Sequence, residues 1–99
     1  MQNKHFKLSL LAQDHLLKIK SYTVEHFAEP QWRKYKATLL SGFQTLADNS
    51  ELGRPCDDIH HNGFYFPVGK HVAYYIKETD SILIVAVLGR SQLPQKHLK

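Results

Sequence analysis

The hydrophobic periodicity of this chain changes once, and that change limits the folds open to it. Up to Ala47 the apolar residues recur every three or four positions. From Phe64 onward they alternate or run together. The first pattern places side chains on one stripe of a helix and the second on the faces of strands. Helices first and strands after point to an α+β domain with the helices on one face of an antiparallel sheet. Ninety-nine residues suffice for one core only, so the whole chain, 1–99, reads as a single domain with 90–99 as a C-terminal tail.

His5–Leu8 reads as a short opening strand, with Phe6 and Leu8 on one face. Ser9 follows as a helix N-cap, its hydroxyl placed to accept an early N–H that has no partner inside the helix. Ala12, Leu16, Ile19, Thr23 and Phe27 form the stripe of a first helix, widened by Leu10, Leu11, Leu17 and Tyr22. Pro30 opens a second helix, where its missing N–H costs nothing. Trp32, Tyr35, Leu39, Phe43, Leu46 and Ala47 form that helix's stripe, and Asp48-Asn49-Ser50 stops it. So short a connection predicts an antiparallel helical hairpin.

Glu51–Asp58, with Gly53 and Pro55, reads as a loop. Phe64, Phe66 and Val68 share one strand face, and Gly69-Lys70 forms a turn. Val72, Tyr74 and Ile76 share a face of the next strand, which puts Tyr75 outward with Lys77. Glu78–Ser81 is a second turn. Ile82–Leu88 is apolar on both faces, as a central strand covered on one side and partly on the other would be. The expected sheet therefore joins the opening strand to a three-stranded antiparallel meander.

Net charge is +4, and two stretches carry no acid: Pro30–Ala47, with Arg33, Lys34 and Lys36, and everything after Asp80, with Arg90, Lys96 and Lys99. Such patches attract nucleic acid, acidic protein or anionic lipid. Arg33, Lys34 and Lys36 stand near the positive end of the helix dipole, a small local cost that a partner surface would explain. The longest apolar run, Ile82–Leu88, is too short to span a bilayer, and no signal peptide is legible. Cys56 stands alone, so no intramolecular disulfide forms, and a reducing compartment fits. His60-His61, adjacent on a strand, point to opposite faces and form no metal pair, so neither metal nor cofactor is expected.

Lys7-Leu8-Ser9, Ala12, Asp14, Leu17, Ile19 and Tyr22-Thr23 resemble the opening strand and first helix of ParE-type toxins, in the RelE/ParE superfamily of type II toxin–antitoxin systems. Leu39, Phe43, Leu46-Ala47 and Leu52-Gly53-Arg54-Pro55 resemble the second helix and following loop. Gly69-Lys70-His71-Val72-Ala73-Tyr74-Tyr75 is similar to the family hairpin. Ile82–Leu88 with Arg90 resembles its last strand, and Pro94, His97 and Leu98 its end. No piece is diagnostic alone; the order and spacing are. The resemblance implies a cytoplasmic toxin that inhibits DNA gyrase and is neutralised by an antitoxin whose C-terminal segment wraps it. It implies no membrane partner and no direct sequence-specific nucleic-acid binding.

On this reading Leu16, Ile19, Trp32, Arg33, Tyr35, Lys36, Leu39 and Phe43 are the candidate antitoxin contacts, along an apolar groove left beside the helices. Lys70, Arg90, Lys96 and His97 are the candidate target contacts. The superfamily's RelE branch cleaves mRNA on the ribosome, chemistry that needs a base, an acid and cations on the phosphate. Arg54, His60, His61, His71, Tyr74 and Tyr75 supply residue types for it, but no tyrosine follows Tyr75 and no acid–base pair with a phosphate clamp is legible. A non-enzymatic protein is therefore expected. Family members often carry a histidine and then an Arg-Met-Asp-like stretch after the last strand, where this chain has Gly89 and Ser91-Gln92-Leu93. That departure adds a third reading, an antitoxin-binding protein with lost toxicity.

Overall fold

A computed structural model describes residues 4–57 and 62–90. The elements, in order, are strand β1 (His5–Leu8), helix α1 (Leu10–Phe27), helix α2 (Glu29–Asp48), a 3-10 turn at Ser50–Leu52, and strands β2 (Arg54–Pro55), β3 (Gly63–Val68), β4 (His71–Lys77) and β5 (Ser81–Gly89).

The sheet has five strands in the order β1-β5-β4-β3-β2. The meander expected from the sequence is present as β3-β4-β5, antiparallel throughout. The opening strand corrects the expectation of a purely antiparallel sheet. It lies parallel to β5, from His5 opposite Ser81 to Leu8 opposite Ile84. The expected loop also contributes β2, a two-residue strand on the far edge.

Ser9 is where the sheet hands over to α1. Its N–H extends the β1–β5 ladder by donating to the Ile84 carbonyl at 3.0 Å. Its hydroxyl accepts from the Ala12 N–H at 3.0 Å and donates to the Val85 carbonyl at 2.8 Å. One side chain thus caps the helix and satisfies a strand group left without a neighbour where β1 ends. A single residue, Ala28, separates α1 from α2 at φ 80° and ψ 165°, a conformation that non-glycine residues rarely adopt.

The main core lies between the helices and one sheet face. Leu39, Phe43, Leu46 and Ala47 of α2 pack with Ala12 of α1 and with Ala73, Tyr75, Ile82, Ile84 and Val87 of the sheet. Phe6 meets Phe43 edge to face, with ring centroids 5.6 Å apart. Tyr75 is fully buried, which reverses the expected facing of β4. Ala73 and Tyr75 face the helices, while Tyr74 packs with Ala86 and Leu88 in a smaller cluster that also takes in Leu11, Cys56, Tyr65 and Val72. The pairing explains the reversal. Directly opposed strand residues share a face, and Tyr75 stands opposite Phe64 and Ala73 opposite Phe66.

A bulge then changes the alternation in β5. Tyr74 pairs with Ala86 but Tyr75 with Ile84, which leaves Val85 as the extra residue. Ile82 and Ile84 therefore face the helices before the bulge, and Val87 after it. Without the bulge, Val87 would point to the opposite face.

Candidate functional site

The principal cavity is an open groove of about 730 Å³ at the end of the sheet, where β5 runs on past the end of β1. One wall is α1, through His15, Lys18, Ile19, Tyr22, Thr23 and Phe27. Gln31 and Tyr35 of α2 line it together with Lys70 and His71, both of which bond the Tyr35 hydroxyl, and Val87, Leu88 and Gly89 of β5 complete the lining. The groove exists because β1 stops at Leu8 while β5 continues to Gly89, so α1 rather than a strand lies beside the last part of β5. His15 Nδ1 accepts the Val87 N–H at 3.1 Å, which supplies one of the bonds a neighbouring strand would have made.

Two large apolar side chains at the rim lie open to solvent. Tyr22 is 58% exposed and Phe27 is 59% exposed. They belong to the apolar stripe read from the sequence, yet α1 buries only Ala12 and Thr23 fully. A surface of this kind invites a partner. Tyr22 stacks on His26, with centroids 4.1 Å apart.

The β3–β4 turn is fastened at this end. The Tyr35 hydroxyl accepts from the Lys70 N–H at 2.9 Å and bonds His71 Nδ1. Gly69, at φ 60°, sits so close under the Tyr35 ring that a β-carbon there would lie 2.8 Å from Cε1. Arg90 Nη2 donates to the Gly69 carbonyl at 3.1 Å. Burial raises the Tyr35 pKa, against the lowering influence of the Lys70 N–H and Arg90. Burial lowers the pKa of His71.

That shift has a stability consequence. A histidine held neutral in the fold binds its proton more readily when unfolded, so its contribution is complete above the unfolded value of 6.5. It is lost as pH falls through the folded value below that. We expect the wild-type protein to lose thermal stability on acidification below pH 6.5, and His71→Gln to lose less over the same range. Equal slopes in the two proteins would contradict the assignment.

The structure divides the residues singled out from the sequence. Ile19 and Tyr35 line the groove. Trp32, Leu39 and Phe43 are buried, at 7%, 1% and 0% exposure, so the apolar surface offered to a partner comes from α1 rather than from this part of α2. Leu16 packs partly buried against the core. Arg33 and Lys36 are exposed but do not line the groove. Lys70 and Arg90 come together at the β3–β4 turn, whereas Lys96, His97, His60 and His61 lie outside the described residues. Tyr22 and Phe27 were not among the residues singled out, and His71 was singled out only for the ribonuclease reading. Tyr22 and Phe27 carried a signal, since the first helix has more apolar residues than one buried face needs. Among the described residues no group of three or more His, Cys, Asp or Glu is placed to hold a metal, and no helix is long and apolar enough to cross a membrane.

The family model described as the ParE toxin of the type II toxin–antitoxin system parDE matches residues 6–94. No curated protein sequence matches the chain. Among solved structures, one described as the chromosomal ParDE TA system from P. aeruginosa shares the fold with a TM-score of 0.75 at 14% identity. The match covers 88% of this chain and 96% of that one.

Proposed function

Since this chain belongs to the ParE toxin family of type II toxin–antitoxin systems, we propose that it poisons DNA gyrase without enzymatic chemistry of its own and that a cognate antitoxin neutralises it by filling the α1–β5 groove. The observation that carries the antitoxin part is the groove itself. It brings exposed Tyr22 and Phe27 together with partly buried Ile19, a surface that a monomer leaves unsatisfied. Lys70 and Arg90 are proposed to face the target. Lys70 stands at the groove's lip, so an antitoxin seated there also covers part of the target-facing surface. Neutralisation by occlusion follows.

The ribonuclease alternative has less support. Tyr75, the tyrosine expected to be exposed, is buried and spends its hydroxyl on Gly53 and Ser50. The proposal is tested by expressing the chain alone and scoring growth, DNA-damage response and transcript integrity together. Growth arrest with DNA damage and intact transcripts, relieved by co-expression of the neighbouring reading frame, is expected. Cut transcripts without DNA damage would replace the gyrase reading with the ribonuclease one.

A further inference from the structure

The groove's charged groups are of one sign. Lys18 of α1 and Lys70 of the β3–β4 turn line it beside His71, and among the described residues no Asp or Glu does. Asp14 reaches Lys18 from the preceding turn at 3.1 Å, but that ion pair is largely exposed and so weakly held. Tyr35 fixes the His71 ring, its hydroxyl bonding Nδ1 while it also accepts the Lys70 N–H. Two ammonium groups and an imidazole thus border a recess that also holds Ile19, Tyr22 and Phe27.

From this arrangement we infer that the groove selects a carboxylate side chain, Asp or Glu, next to a large apolar residue on the antitoxin segment. The inference rests on the toxin–antitoxin reading and adds the chemistry of the contact. The apolar residue lies on Ile19 between Tyr22 and Phe27, and the carboxylate reaches Lys70, Lys18 and His71. Single-stranded nucleic acid fits less well. Two lysines give a phosphodiester chain few cations to follow, and Tyr22, one of the two exposed rings, already stacks on His26.

The test uses the full chain and the purified product of the neighbouring reading frame, with affinity measured by calorimetry. Lys18→Glu/Lys70→Glu is compared with Lys4→Glu/Lys20→Glu, which changes net charge equally on exposed positions outside the groove. All four side chains are exposed, so both variants should keep the wild-type circular dichroism spectrum. The first should weaken binding on the order of tenfold or more and the second much less. Exchanging the responsible antitoxin acid for Lys should restore binding to the first variant. Wild-type protein that fails to bind the neighbouring product overturns the toxin–antitoxin reading, and this inference with it. Wild-type binding that Lys18→Glu/Lys70→Glu leaves unchanged, or weakens no more than the control does, overturns the inference alone. So does a single-stranded 12-nucleotide probe whose binding needs Lys18 and Lys70 while antitoxin binding does not.

Discussion

Replacing Tyr75 by alanine should cost about 3–5 kcal/mol, the range for removing a large aromatic side chain from a core. Total stability for a domain of this size is about 5–15 kcal/mol, so much of the fold's margin would go. The ring is fully buried and stacks on Phe64 with centroids 5.7 Å apart. Its hydroxyl accepts from the Gly53 N–H at 3.0 Å and donates to the Ser50 carbonyl at 2.8 Å. It thereby ties the segment after α2 to the middle of the sheet. Tyr75→Phe keeps the ring and strands both backbone groups, a loss of about 1–3 kcal/mol. Urea unfolding would show both effects as shifts of the midpoint at constant slope. A Tyr75→Ala protein within about 1 kcal/mol of wild type would mean that the ring faces solvent, as the strand pattern alone suggests.

Gly42→Ala should destabilise by about 1–3 kcal/mol, although alanine is the better helix former by about 1 kcal/mol. The two effects have opposite signs, so the measured sign shows which dominates. A β-carbon on Gly42 would lie 2.4 Å from Val68 Cγ1 and 3.2 Å from Cγ2, so the valine or the helix has to shift to admit it. Val68 is itself buried, and its β-branched side chain is stiff. Combining the change with Val68→Ala should therefore cost less than the sum of the two single changes, a coupling that a double-mutant cycle reads directly. Stabilisation by Gly42→Ala would mean that helix and sheet are not in close contact here.

Much of this architecture was legible in the sequence because it depends on local chemistry. Ser9 caps α1 as its hydroxyl and position predict, and α2 ends at Asp48 where the Asp-Asn-Ser run stops it. The facing of β4 was legible too, but from the turn rather than from the strand. Val68 pairs with His71 across the two-residue turn Gly69-Lys70. Given Val68 on the helix side, Ala73 and Tyr75 must join it, and Val72 and Tyr74 cannot. Alternation read strand by strand misses this constraint, because both faces of β4 are apolar and each looks like an inner one. The parallel pairing of β1 with β5 and the bulge at Val85 depend on contacts distant in sequence, which no local pattern carries. The groove follows from both. It needs β1 to end beside the middle of β5, and Tyr35 to reach the β3–β4 turn. The sequence drew attention to Trp32, Leu39 and Phe43 because they are large and apolar, which is also why the core holds them.

The central claim, that this ParE-family chain poisons gyrase and is silenced through the α1–β5 groove, meets its most direct test in a purified reaction. Supercoiled plasmid and DNA gyrase are incubated with the toxin freed of its partner, then treated with detergent and protease. Accumulation of linear DNA that depends on the toxin and disappears when the antitoxin is added first is the predicted result. No linear DNA from a folded, antitoxin-binding toxin would contradict it.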